Sequence, residues 1–241
     1  MARRFDPARD IANCALWYDF ADPASLELQY ASGQGTVITK VKDKSGNQRD
    51  ALGGTPNPDD KGLWVRGVRN GLGACRLGDT WRNMVLPSLS TFSEGSVLVA
   101  FVKDVDDDGS GLWKMGTSGS ACHHCWTDQH LLDDWGSTTR KDCGNPTPSF
   151  TNWTLYAVRS KTNQWDSHIN TEQLFSTTTN TVGFSSTPKL GRQQPTSDWS
   201  LIGYVGELVI FDRYLANSDL NRAGLYLCEK WGIGPFVGLS G

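Results

Sequence analysis

The sequence predicts an all-β fold, a β-sandwich that closes with one short C-terminal helix. The first observation is composition: the chain has 26 glycines in 241 residues and many Ser, Thr, Asn and Asp, so turns must be frequent, which favours short strands. The second is a series of short segments that are either alternately apolar and polar or almost wholly apolar. The third is one segment of helical periodicity after the last predicted strand.

The N-terminal half contains several predicted strands. Cys14–Phe20 is rich in apolar and aromatic residues, and Thr36–Lys42 alternates apolar and polar residues until a turn at Asp43–Asn47, where Gly and Asp are the residue types that turns prefer. Ser96–Val102 is nearly all apolar, so we expect a central strand that is buried on both faces. Shorter strands are predicted at Leu63–Val65, Ala74–Leu77 and Leu112–Met115.

The second half resumes the strand pattern after a long segment, Thr117–Ser149, whose polar, aperiodic sequence favours functional loops. Trp153–Arg159 and Asp166–Asn170 are predicted strands, and Ser176–Asn180 is predicted to be a polar connection. Segments around Lys189–Gly191 and Trp199–Tyr204 lead into the closing strand.

The closing strand is predicted at Glu207–Phe211, and a helix follows it. Asn217 or Ser218 offers an N-cap, and Gly232 offers a C-cap. The apolar face of this helix is formed by residues at helical spacing, which are Leu220, Gly224, Leu227 and Trp231.

The chain shows no internal repeat and no linker, so one domain is predicted from residue 11 to 233. Residues 1–10 are expected to form an arm outside the core, and 234–241 a C-terminal tail. The net charge of −3 gives no general attraction for nucleic acid. No apolar run is long enough to span a bilayer, and the two N-terminal arginines are not followed by the apolar region of a secretory signal.

The absence of a signal predicts synthesis in a cytosol, where the six cysteines are expected to be reduced, although their even number leaves disulfides open. Nucleophilic catalysis has little support, since no Gly-x-Ser-x-Gly elbow and no Walker-type loop is present.

Four segments resemble the concanavalin A-like, laminin-G-like jelly-roll domains. They occur in the family's order and are Leu16–Asp22, Val41–Ala51, Gly203–Leu215 and Tyr226–Ile233. The resemblance implies a sandwich of two antiparallel sheets, and such domains are common in bacterial surface proteins and in virion proteins of tailed bacteriophages. Family members bind glycans or proteins or decorate a surface, so the fold does not assign a function.

A structural role is expected for most residues of these segments. Trp17, Phe20 and Trp231 are predicted core residues, and Glu207 is expected to satisfy backbone groups near a sheet end. Family members that hydrolyse glycosides carry a Glu-x-Asp-x-Glu run, which this chain lacks. Glycoside hydrolysis normally needs two facing carboxylates, so we expect a protein without enzymatic activity.

Two metal sites are candidates. Asp104, Asp106 and Asp108 alternate like the first ligands of an EF-hand loop, but Met115 stands where the bidentate Glu would be, which favours the alternative of a solvated hairpin turn. Calcium is the one cofactor that the sequence suggests. Zinc ligands are candidates at Cys122, Cys125, His130 and Cys143, with free thiols or a local disulfide as the alternative.

Aromatic residues in loops suggest a glycan site. Trp126, Trp135 and Trp165 are candidates to stack on sugar rings. The N-terminal residues Arg3, Arg4 and Phe5 are candidates for docking onto a partner subunit.

The leading prediction is a non-enzymatic virion structural protein of a tailed bacteriophage, located in the capsid decoration or the tail. Its partners would be other virion subunits, copies of itself in a symmetric oligomer, and host-surface glycans. The alternative is a lectin-like carbohydrate-binding module for attachment to a cell surface.

Overall fold

The structure is a computed structural model. It describes residues 5–54, 60–78, 82–105, 109–126, 128–147, 149–170, 172–193 and 200–234. The helices are α1 (Pro7–Asp10), a 3₁₀ turn (Pro23–Ser25) and α2 (Asn217–Trp231). The strands are β1 (Cys14–Asp19), β2 (Leu26–Ala31), β3 (Gly35–Val41), β4 (Ala51–Gly53), β5 (Leu63–Arg69), β6 (Leu72–Leu77), β7 (Met84–Val85), β8 (Gly95–Lys103), β9 (Trp113–Gly116), β10 (Leu132–Asp133), β11 (Lys141–Asp142), β12 (Thr154–Lys161), β13 (Gln164–Ile169), β14 (Glu172–Thr177), β15 (Phe184–Leu190) and β16 (Gly203–Phe211).

Antiparallel pairing joins these strands into one continuous hydrogen-bonded path. Its order is β14-β13-β12-β8-β16-β6-β5-β3-β4-β7-β15-β9, with β1 paired to β16 and β2 paired to β3. Strands β10 and β11 form a separate two-stranded sheet. The two ends of the path contribute to the same apolar cluster, so the chain is the β-sandwich with one C-terminal helix that the sequence predicts.

Strand β8 lies at the centre of one layer, between β12 and β16. On one face, Val99 belongs to the core that also contains Trp113 of the opposite layer. On the other face, Leu98 belongs to a second cluster together with Leu227 of α2. The prediction of a strand buried on both faces is confirmed, and the helix supplies the second cover.

Helix α2 ends where the sequence predicts. Gly232 adopts the left-handed conformation, with φ of 60°, that a C-cap requires. At the other end the N-cap is Ala216, which makes no side-chain capping bond, one residue before the predicted cap. Trp231 is buried and stacks on Trp153 with 4.8 Å between ring centroids, as a core residue should.

The segment before β1 is packed onto the domain from Phe5 onward, so the expectation of an arm outside the core is corrected for these residues. The Asp6 carboxylate caps α1 by accepting from the backbone N–H groups of Ala8 and Arg9. The Phe5 ring lies 5.5 Å from that of Tyr226. Arg3 and Arg4, like the tail 235–241, lie outside the described residues.

All six cysteines are free and buried. Burial raises the pKa of the Cys14, Cys75, Cys122 and Cys143 thiols well above the ordinary value. It raises the pKa of Cys228 to about 12. None of the helices in the described ranges is long and apolar enough to cross a membrane.

Candidate functional site

The candidate site is an open groove along strands β12, β13 and β14, beside the start of α2. Its volume is about 590 Å³, and it is lined by Arg159, Gln164, Asp166, Gln173, Ser176, Thr177, Thr178 and Asn217. Apart from one ion pair, every lining side chain is an amide or a hydroxyl.

Strand register brings these side chains together. Arg159 lies opposite Asp166 in the β12–β13 pairing, and Asp166 lies opposite Ser176 in the β13–β14 pairing. Because successive side chains of a strand point to opposite faces, Gln164, Asp166 and His168 share the groove face. Trp165, between the first two, is turned into the core.

Asp166 is the hub of the groove. Its Oδ1 accepts from Nε of Arg159 at 2.8 Å and is 2.6 Å from Nε2 of His168. Its Oδ2 accepts the hydroxyl of Tyr214. The guanidinium carbon of Arg159 lies 4.7 Å from the centre of the Tyr214 ring. His168, Tyr214 and the hydrogen bond between the two partners therefore fix the Arg159–Asp166 ion pair in place.

The charge of this hub is set by its neighbours. Burial alone would raise the pKa of Asp166, but the hydrogen bond with His168 and the charge of Arg159 outweigh it and lower the pKa. Burial and the Asp166 carboxylate raise the pKa of Tyr214, so its hydroxyl stays protonated and donates. At neutral pH the groove floor is a fixed ion pair among neutral donors and acceptors, which suits a ligand with many hydroxyl groups.

The predicted sugar-stacking tryptophans are not a surface group. Trp135 and Trp165 are fully buried in the core, and Nε1 of Trp165 donates to the backbone carbonyl of Trp135. That assignment is corrected, because a ring in the core has no face for a sugar. Trp126 is partly exposed and packs against His123 at 4.2 Å.

The four predicted zinc ligands are not brought together within the described residues. Cys122, Cys125 and Cys143 are buried, whereas His130 lies at the surface, with Nδ1 2.8 Å from Oδ1 of Asp142. The zinc set predicted from sequence spacing therefore does not form, because the loop directs its imidazole outward and its thiols inward.

A different cluster of metal-ligand types does form, from Cys122, Asp133 and Asp134. Protein donors already occupy its carboxylates: Lys114 pairs with Asp134, and Nε1 of Trp113 donates to Asp133 at 2.9 Å. The cluster is therefore a buried polar network inside the segment that the sequence marks as functional loops.

The predicted calcium loop is described only in part. Asp106 and Asp108 lie outside the described residues. The carboxylate of Asp104 accepts from Nη1 of Arg76 at 2.6 Å, which engages that oxygen in an ion pair.

Sequence reasoning missed a pair of facing carboxylates. Asp19 and Glu207 lie directly opposite each other on β1 and β16. The Glu207 carboxylate, fully buried, accepts from Nε1 of Trp17 at 2.6 Å and from the hydroxyl of Tyr226 at 2.9 Å. Lys230 reaches both carboxylates. The two residues come from opposite ends of the chain, so no local sequence motif predicts the pair.

The groove was missed for another reason. Arg159, Asp166 and His168 have ionisable side chains and lie on strands that are buried along almost their whole length. Buried charged residues on such strands are unusual, and this was the signal available. Strand β14, the outer wall, is mostly exposed and lacks alternation, so the sequence predicts a polar connection at its end.

No protein-family model matches the sequence, and no curated protein matches it. Solved structures match the fold. Domain 4 of AbnA, a GH43 extracellular arabinanase from Geobacillus stearothermophilus, in complex with arabinotriose, is 16% identical, with a TM-score of 0.56 over 86% of this chain and 96% of that chain.

Two further matches are to larger proteins. A GH54 α-L-arabinofuranosidase is 11% identical, with a TM-score of 0.62 over 90% of this chain and 63% of that chain. The Trypanosoma rangeli sialidase in complex with sialic acid is 15% identical, with a TM-score of 0.54 over 87% of this chain and 34% of that chain. The chain thus spans under two thirds of either enzyme.

These matches establish the fold and correct one expectation. The sequence predicts a protein without enzymatic activity, because the Glu-x-Asp-x-Glu run of the glycoside-hydrolysing family members is absent. The solved structures that share the fold come from an arabinanase, an arabinofuranosidase and a sialidase. The expectation of a protein without enzymatic activity is therefore corrected, because proteins that share this fold include enzymes.

Proposed function

We propose that the chain binds carbohydrate and holds a glycan in the groove formed by β12, β13 and β14. The observation that carries the proposal is the lining: amides and hydroxyls surround the Arg159–Asp166 ion pair. Such side chains bond sugar hydroxyls in both directions, since amides and hydroxyls donate and accept.

The comparisons support the same kind of function. Domain 4 of the arabinanase, which this chain matches over nearly that domain's whole length, was solved with arabinotriose. The virion role stays a prediction of the sequence resemblance, because none of the three structures described above is a virion protein. The carbohydrate-binding alternative is therefore the better supported of the two.

The direct test is calorimetric titration of the whole chain with arabinotriose, preceded by a glycan array. We expect saturable binding to at least one glycan. Gln173→Ala and Thr177→Ala each remove one neutral hydrogen-bonding group from the groove wall, and each is expected to weaken binding about three- to tenfold.

The matched control is Gln29→Ala, which removes an exposed glutamine from strand β2, outside the groove, and should leave binding unchanged. Trp126→Ala distinguishes binding in the groove from binding at the loop where the sequence predicts a glycan site. Loss of binding in Trp126→Ala with full binding in Gln173→Ala would move the site to the loop. A glycan array without any hit would remove the proposal.

A further inference from the structure

Arg159 is a buried cation whose hydrogen-bonding capacity is only partly used. Its side chain lines the groove, although the residue is only 6% exposed. Nε donates to Asp166, and Nη1 donates to the backbone carbonyl of Leu215 and to Oδ1 of Asn217, each at 2.8 Å. Nη2 has no hydrogen-bond partner within the described residues.

These contacts fix the guanidinium before any ligand arrives. The Tyr214 ring covers one face of the guanidinium at 4.7 Å, and the bonds from Nε and Nη1 set its plane. The two N–H groups of Nη2 are thus preorganised donors on a permanently charged group. A donor held in this way contributes more to binding than a flexible one, since less entropy is lost on association.

The charges of the groove favour an anion. The Asp166 carboxylate is fully engaged by Arg159, His168 and Tyr214. Nζ of Lys161 lies 4.5 Å from the centre of the Tyr214 ring and forms no ion pair with a described residue. Arg159 and Asp166 cancel each other, so Lys161 leaves the hub with one excess positive charge.

The start of helix α2 adds to this field. Asn217, its first residue, lines the groove, and the N-cap Ala216 makes no side-chain capping bond. A helix N-terminus carries partial positive charge. The acidic residue of the first turn, Asp219, is paired with Arg213 at 2.5 Å and does not offset this charge.

We propose that the groove recognises a carboxylate-bearing sugar, such as a uronic acid, through Nη2 of Arg159 and the charge of Lys161. This inference rests on the proposed function and adds the chemical class of the ligand. Charge-assisted bonds from a guanidinium to a carboxylate are about twice as strong as neutral ones. Gln164, Gln173 and Thr177 remain for the ring hydroxyls.

The test compares acidic ligands with neutral counterparts. The whole chain is titrated with trigalacturonate and with its methyl ester, and with sialyllactose and lactose as a second acid–neutral pair. Arabinotriose is the neutral reference. We expect at least one acid to bind about tenfold more tightly than its neutral counterpart, and we expect this ratio to shrink in 0.5 M salt, which screens exposed charges.

The possible results are distinguishable. Equal affinity within both pairs overturns the preference for acids and leaves glycan binding intact. Binding of arabinotriose without binding of either acid also overturns the preference for acids and leaves glycan binding intact. Absence of binding to both acids overturns this inference, whereas the proposed function is overturned only by a glycan array without any hit.

Substitutions test which side chains cause the preference for acidic ligands. Lys161→Gln should lower the acid-to-neutral ratio about threefold or more without loss of fold, since it removes one of the two cations at the hub. Lys42→Gln, an exposed lysine outside the groove, is the control and should leave the ratio unchanged. Arg159→Lys keeps the charge but loses the guanidinium fork, and circular dichroism must show it folded. An unchanged ratio in Lys161→Gln and in folded Arg159→Lys would contradict the proposal.

Discussion

Asp19 and Glu207 face each other on paired strands, and Nζ of Lys230 lies 2.7 Å from the first carboxylate and 2.5 Å from the second. Like charges directly opposite each other destabilise a sheet, so this pair depends on its cation. Lys44 also contacts Asp19, at 3.0 Å. Helix α2 therefore contacts the sheet through the ion pairs of Lys230 as well as through apolar packing.

Replacement of Lys230 by methionine tests this relationship. Lys230→Met keeps the apolar stem but leaves Glu207 buried without its cation, and we expect the free energy of unfolding to fall by about 3–5 kcal/mol. Denaturant unfolding measures it. Burial and Asp19 already raise the pKa of Glu207, and loss of the lysine should raise it further. A folded-state pKa above the unfolded value favours proton uptake by the folded protein, so the deficit should shrink as pH falls.

The control for this prediction is Arg222→Met. Arg222 pairs with Asp219 at 3.4 Å, and half of its side chain is exposed. Such a pair contributes about 1 kcal/mol or less. Equal losses in the two variants would contradict the role assigned to Lys230.

Gly206 tests the packing of the closing strand on the helix. The pairing of β16 with β8 shifts register between Val205 and Glu207. A Cβ at Gly206 would lie 2.5 Å from Cζ2 of Trp231. We expect Gly206→Ala to destabilise the protein by about 1–3 kcal/mol, measured by thermal unfolding. Gly234→Ala, where no atom lies within 4 Å, is the matched control. An unchanged stability in Gly206→Ala would show that Trp231 can move away from the added methyl group, which would contradict the prediction.

The tryptophans of the central segment should divide by burial. Trp135→Ala removes a fully buried ring and is expected to cost about 3–5 kcal/mol of unfolding free energy. Trp126→Ala should cost much less, since its ring is partly exposed. Urea unfolding of both variants checks this, and equal losses would contradict the assignment of Trp135 to the core.

The surface pair His130–Asp142 should be visible in a proton titration. The hydrogen bond that the His130 ring donates to the Asp142 carboxylate raises the pKa of His130. A raised folded-state pKa means that the stabilisation is present below the unfolded value of about 6.5 and is lost as pH rises through the folded value. NMR titration should show a His130 pKa above 6.5 that returns toward 6.5 in Asp142→Asn. An unchanged titration would contradict the pairing.

The parts of the fold that were predicted correctly are those with a local pattern. Strand β8 is a nearly continuous apolar run, and α2 has helical spacing and a glycine at its end. Strands β2 and β14 were missed because their side chains are largely exposed. An exposed strand is stabilised by backbone pairing, which leaves little periodicity in the side chains.

The candidate site could not be predicted for a related reason. Arg159 and Asp166 come together through strand register, and Tyr214 and Asn217 reach them from the far end of the chain. Spacing alone also placed Trp135 at the surface, because an aperiodic segment was equated with exposure. In the structure that segment folds inward around Lys114 and Asp134, so polar sequence here marks a buried network.

The six buried cysteines have a practical consequence. Their thiols are shielded and weakly acidic in the folded protein, and only thiolates react readily with electrophiles. A thiol introduced on the groove rim, as in Thr178→Cys, would therefore be the one site that a maleimide dye labels in the native chain. A dye at this position would report the binding of any ligand in the groove, and no native cysteine would have to be removed.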